Sequence, residues 1–172
     1  ANLAPPAGRP GAYVQLAGRP AEPIDTAKFD KSGLHLLKVD PPAEDGGAGT
    51  LVFFASNDGL ETLKKKVEAF RDEDTKTGRP KNADMVQSIG ALRYASLKGL
   101  WRGPSGSYPA GVEGRIDWEV WMRADGAEAF AQDARAAGVH VGEDRLTFPE
   151  QIVLHVSASR AQLLALVKQC DA

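Results

Sequence analysis

Three histidines, one cysteine and a close pair of carboxylates are the residues whose types could carry chemistry in this chain. His35, His140 and His155 each lie in or beside a strand-like run. No two of them stand at the i, i+4 spacing that would place two imidazoles on one helix face to hold a metal. They read as structural or surface histidines. Ser, His and Asp are all present, but no Gly-x-Ser-x-Gly elbow occurs and nothing positions an oxyanion hole. Gly46-Gly47-Ala48-Gly49 precedes a strand instead of following one, and no Gly-Lys-Ser or Gly-Lys-Thr occurs, so a phosphate loop is rejected. Asp117 and Glu119 share a strand face and could form a carboxylate pair. With no second carboxylate motif, the solubility of a sheet edge accounts for them better. Cys170, the lone thiol, can form neither an internal disulfide nor a thiolate zinc cluster. Lys64-Lys65-Lys66 reads as the solvated face of a helix in preference to a phosphate or nucleic-acid patch. No residue here carries catalysis, and no cofactor or metal is expected.

The elements that position these residues belong to a chain of 172 residues, the size of one domain or two small ones. Apolar residues make up 42% and charged residues 26%, which is globular composition. A net charge of −2 lacks the basic excess of a non-specific nucleic-acid binder. No run approaches the roughly 18 apolar residues of a membrane span. The sequence opens at Ala1 without an initiator Met or a signal-peptide pattern. That reads as a processed or excised segment, with a cytoplasmic location expected from the missing secretion signal.

Residues 1–10, rich in Pro, Gly and Ala, form an expected flexible lead-in. Residues 12–16, 34–39 and 50–55 are strand-like runs, and the third, almost wholly apolar, should be central in its sheet. Asp58 with Glu61 is expected to cap a helix carrying Leu60, Leu63, Val67 and Phe70. Residues 71–81 read as a loop. Asn82 is expected to cap a second helix with Met85, Ile89, Leu92 and Leu97 at helical spacing, running towards Leu100 and Trp101. An N-terminal α+β subdomain thus spans 11–102, and the Gly- and Pro-rich residues 103–114 form a linker. Within 115–172, residues 116–123 alternate as a strand with Trp118, Val120 and Met122 on one face and Trp121 on the other. Asp125 and Glu128 suggest a capping box before Phe130, Ala131 and Ala134, and Gly138 is placed to end that helix. Residues 139–148 and 151–156 form a hairpin turning at Pro149-Glu150, and Ser159 with Gln162 opens a last helix. The order β-α-β-β-α is five of the six elements of a ferredoxin-like unit. The fold class is α+β, with an antiparallel or mixed sheet and a three-strand, two-helix unit ahead of the ferredoxin-like one.

Several ordered motifs resemble the N-terminal region of large bacterial subtilisin-like serine peptidases of the kind found beside a partner AAA ATPase. The matching segments are Gly33-Leu34-His35-Leu36-Leu37-Lys38-Val39, Gly49-Thr50-Leu51-Val52-Phe53-Phe54 and the Lys-rich helix Leu60 to Phe70. Pro80-Lys81-Asn82 with Val86, Ser88, Ile89, Leu97, Leu100 and Trp101 is similar to that family's linking helix. Trp118-Glu119-Val120-Trp121-Met122-Arg123 is similar to its Trp-Trp-Glu-Val-Trp-Leu-Arg strand, with Asp117 in place of the first Trp. Leu146-Thr147-Phe148-Pro149 is similar to its hairpin. None of the three subtilase signatures is present, so no triad residue is carried over. The resemblance implies a non-catalytic, propeptide-like accessory domain that assists folding, restrains activity or recognises partners. A peptidase domain in cis and an AAA ATPase are the implied partners, with neither nucleic acid nor membrane. A stand-alone adaptor or substrate-binding module is the alternative, and an independent small enzyme a third.

The expected interaction surface is the outer face of the second sheet, with Trp121 near its middle and Glu119 beside it. The competing expectation is that the first part, which must bury its own apolar face, folds over Trp121. Trp118, on the helix-facing side of what reads as a central strand, should be structural. Trp118→Ala is expected to cost about 3–5 kcal/mol, read as a large fall in melting temperature. An unchanged Tm would show that the two faces of the strand are assigned backwards.

Overall fold

A computed structural model describes residues 11–20, 24–30, 33–42 and 47–169. The expected lead-in 1–10 and Cys170 lie outside them. The chain divides into two compact units, residues 1–102 and 103–172, so the division falls where the Gly- and Pro-rich segment begins.

The first unit runs β1 (Gly11–Ala17), α1 (Ala27–Asp30), β2 (Leu34–Asp40), β3 (Thr50–Ser56), α2 (Asn57–Asp72), α3 (Ala83–Gln87), β4 (Ala91–Tyr94) and α4 (Leu97–Leu100). Its sheet has the order β2-β3-β1-β4, antiparallel throughout. The apolar run of β3 occupies an inner position, as expected of a strand with both faces covered. On one face Phe53 and Leu51 stand opposite Val14 and Leu16, and they join Phe29, Leu60, Leu63 and Met85 in the core. On the other, Val52 is fully buried and Gln15 lies beside it in the register. A Cβ on Gly99 would come within 2.6 Å of the Gln15 Oε1, so α4 lies close over that face.

Two expectations are corrected here. The cap of α2 is Ser56, not Asp58: its hydroxyl accepts from the Gly59 N–H at 3.0 Å. Because Ser56 is also the last residue of β3, strand passes into helix with no loop, and Asp58 falls in the first turn, where its charge suits the helix dipole. The second long helix does not form. Asn82 takes a left-handed conformation (φ 57°) with no side-chain cap, and α3 stops at Gln87. The Gly90 N–H then donates to the Ala17 carbonyl at 2.9 Å, and residues 91–94 pair with β1, which adds a fourth strand to the expected three. Sheet pairing along β1 outweighs a helical spacing that Gly90 already interrupts.

The second unit runs β5 (Ile116–Arg123), α5 (Ala127–Ala136), β6 (His140–Thr147), β7 (Gln151–Ala158) and α6 (Arg160–Gln169). Its antiparallel sheet has the order β5-β7-β6, the ferredoxin-like arrangement of these three strands. β5 is therefore an edge strand, not the central one expected, and the middle place belongs to β7. Both helix ends that the sequence marks most clearly are formed. Ser159 and Gln162 make the reciprocal capping box of α6. Gly138 (φ 72°) follows α5, with Gly138 N–H donating to the Arg135 carbonyl and Val139 N–H to that of Ala134. The expected Asp125 cap is not made. Gly126 takes the N-cap position and Asp125 is drawn to Arg123 instead.

The two readings of residues 82–100 differ in sign for one substitution. A methyl group at Gly90 would meet the Gly18 carbonyl oxygen at 2.5 Å, a backbone atom that cannot step aside. Gly90→Ala is expected to cost about 1–3 kcal/mol through this clash. In a helix interior the same change would stabilise by about 1 kcal/mol. A raised Tm would therefore remove β4 from the sheet.

Candidate interaction surface

Alternation along β5 sorts its side chains between two environments. Trp118 and Met122 point to the side covered by α5 and α6, where Phe130, Ala134, Leu163 and Leu166 are also buried. Trp118 is 5% exposed although its strand is at the edge. Its indole N–H donates to the Ala158 carbonyl at 2.9 Å, which satisfies the one polar group that this ring carries into the core.

The opposite face is laid out by register. Trp121 stands opposite Val153 of β7, and Val153 opposite Leu146 of β6. The hairpin at Pro149-Glu150, closed by the Phe148 N–H donating to the Gln151 carbonyl at 2.8 Å, sets Phe148 beside this row. The rings of Trp121 and Phe148 stack with centroids 5.5 Å apart and planes 16° from parallel. Trp121 is 41% exposed, Phe148 44% and Leu146 62%, while Val153 between them is 5% exposed. Three large apolar side chains thus form one accessible patch over a buried floor. The patch lies across β5, β7 and the hairpin end of β6, so Trp121 stands at its edge and not near the middle of the sheet.

Polar groups border the patch. Glu119, exposed, is opposite His155, and Asp117 is opposite Ser157, itself opposite His140. Arg123 donates through Nε to Asp125 Oδ1 at 3.1 Å and through Nη2 to Oδ2 at 2.6 Å. That hydrogen bonding holds the Asp125 carboxyl below the ordinary aspartate range. The sequence reading named Glu119 and Trp121 for this face and did not name Leu146 or Phe148, which the register sets beside Trp121. The period-2 rule carried through the hairpin would have found both.

His140 and His155 belong to the second unit, on β6 and β7. His35 belongs to the first unit, with its ring 6.5 Å from that of Phe54, and no group of metal-ligating side chains is found among the described residues. β6 departs from regular pairing between Val141 and Arg145. Beside this irregularity a cleft of about 180 Å³ opens between α5 and β6, edged by Glu128, Arg135, Glu143 and Arg145. It falls short of the roughly 300 Å³ at which small-molecule pockets begin.

Residues 12–96 match the family described as the Y4kK N-terminal domain, a span from β1 to just beyond β4. No similar sequence is found among curated proteins. Among solved structures, the ligand-free regulatory subunit of aspartate kinase from Thermus thermophilus aligns at 14% identity over 95% of this chain and 94% of its own, with a TM-score of 0.33. The regulatory subunit of aspartate kinase from Thermus flavus aligns at 15% identity over 93% and 89%, with a TM-score of 0.32. Neither likeness assigns an activity. No described helix is long and apolar enough to cross a membrane.

The two tryptophans of β5 should separate cleanly in a stability measurement. Trp121→Ala removes an exposed ring whose stacking on Phe148 is worth about 1 kcal/mol. It should lower stability by less than half as much as Trp118→Ala in denaturant titrations. Equal losses would place Trp121 in the core.

Proposed function

We propose that this chain is a non-catalytic accessory domain of a subtilisin-like serine endopeptidase, and that it docks the peptidase domain through the outer face of its second sheet. The observation that carries the reading is the stacked Trp121–Phe148 pair on an accessible sheet face, with Leu146 beside it and Glu119 at its border. Aromatic side chains held in place before binding lose little freedom on docking, and they dominate interface energetics. The ordered motifs of residues 33–149 support the choice of parent, and an N-terminal placement accords with the description of the family that residues 12–96 match. Folding assistance or restraint of activity are the roles such a docked domain would serve.

Mixing the chain with the parent's peptidase domain should give a complex at micromolar concentration, seen by calorimetry. Trp121→Ala should weaken it at least about tenfold while leaving the fold intact, a difference of about 1.4 kcal/mol. No complex at micromolar concentration would overturn the reading. A complex indifferent to Trp121→Ala and Phe148→Ala would move the docking surface elsewhere.

A further inference from the structure

Gln15 is the one buried polar side chain among the described residues, 8% exposed, and its Oε1 accepts no hydrogen bond among them. It stands on β1 between Val52 of β3 and Arg93 of β4, on the face of the first sheet that α4 approaches. A Cβ on Gly99 would lie 2.6 Å from this oxygen and 3.1 Å from the Cδ that carries it, so the backbone of α4 closes directly over the amide. The oxygen therefore faces a carbon and not an N–H. An acceptor left in this state penalises the closed arrangement alone, because water satisfies the same oxygen once the cover lifts. A methionine or leucine would fill the position without that penalty.

The cover is weakly held. α4 is a single turn, Leu97–Leu100, whose hydrogen bonds close on one another. The Gly99 N–H donates to the Ser96 Oγ at 3.1 Å, the Leu100 N–H to the Ser96 carbonyl at 3.0 Å, and the Trp101 N–H to the Lys98 carbonyl at 3.3 Å. Among the described residues, 96–100 make no hydrogen bond to the sheet. The main-chain tie to β1 that precedes them is the Ala95 N–H donating to the Tyr13 carbonyl at 2.9 Å. Leu97 and Leu100, each half-buried, favour closure, and the orphan oxygen opposes it.

We propose that α4 is a releasable strap, which lifts about Ala95 while the sheet of the first unit stays folded, and that the Gln15 amide sets how often it does so. The core of this unit lies on the other face, where Val14, Leu16 and Phe53 pack with Leu60 and Leu63, so release of α4 leaves it intact. A local rule broken at one buried position, with no compensating bond, is what a built-in opening requires. α4 is also the last element of the first unit. Docked, it holds the chain against the sheet as far as Leu100. Released, it lets the chain leave the sheet from Ser96, which lengthens the connection towards β5.

Amide hydrogen exchange of the 172-residue chain, read by NMR, tests the strap. The Gly99 and Leu100 amides should exchange at least about tenfold faster than those of β1 and β3. Gln15→Met should slow them at least about fivefold, and Gln15→Leu, of different shape, should do the same. Ser96→Ala removes the cap and should speed exchange at Leu100 about fivefold, with β1 and β3 unchanged. Exchange of α4 in step with β1 and β3 would overturn the proposal, since α4 would then open only with the whole unit. Fast exchange that neither Gln15 variant slows would also overturn it, because α4 would then fray without regard to the amide. So would a Ser96→Ala variant that loses protection in β1 and β3.

Discussion

The indole N–H of Trp118, donating to the Ala158 carbonyl at 2.9 Å, ties the beginning of β5 to the end of β7 beneath the helix layer. Almost everything else in the second unit follows from that placement. Side chains alternate along a strand, so fixing Trp118 inward fixes Trp121 outward, together with Asp117, Glu119 and Arg123. A slip of one residue would bring Trp121 under the helices and expose Trp118, Val120 and Met122 together. The register is strongly specified because the two faces are so unequal. One must fill the space beneath Phe130 and Leu166, and the other carries the exposed Asp117, Glu119, Trp121 and Arg123 beside the buried Val153.

The first unit depends on a comparable constraint at β3. Residues 51–53 are buried on both faces, so each side of the sheet needs its own cover. Leu60, Leu63 and Met85 supply one. Gly99 brings the chain close to Gln15 on the other, where any larger residue would meet the amide. Residues 82–100 must therefore cross from one side of the sheet to the other within a short length. A continuous helix cannot do this. Breaking it at Gly90 and laying residues 91–94 along β1 accomplishes the crossing and satisfies main-chain groups of β1 that would otherwise lie at an edge.

That contrast explains what was legible in the sequence. Local signals held where the local chemistry closes on itself: Ser159 and Gln162 satisfy each other's backbone, and Gly138 supplies a backbone angle that other residues resist. The alternation of β5 held because one face had to be apolar. Signals failed where a nonlocal partner competed. Met85, Ile89 and Leu92 keep helical spacing, yet their order is also compatible with a short helix followed by a strand, and only the presence of β1 decides. Asp125 is a good capping residue on its own, but Arg123 two residues earlier offers it a charged pair. The position of β5 at the sheet edge was illegible for the same reason: alternation reports the two faces of a strand and says nothing about its two sides.

The surface proposed for docking was read from one strand only, and the residues that join it show how the sheet builds it. Glu119 and Trp121 follow from one strand. Leu146 and Phe148 join them only through β7, whose Val153 stands between Trp121 and Leu146 in a single row. A ring at the edge of a three-stranded sheet would ordinarily lean into solvent and retain many rotamers. Here the Phe148 ring, carried to Trp121 by the turn at Pro149-Glu150, fixes its orientation without burying it. The two rings thus hold each other in an arrangement that is settled before any partner arrives. Ordering already done in the folded chain is not subtracted from binding, so a small patch can contribute more than its area suggests. The neighbouring Arg123–Asp125 pair does the polar equivalent, since the carboxylate fixes the guanidinium at the strand end through two hydrogen bonds. Both features belong to the same end of β5, on the face of the strand turned away from the helices.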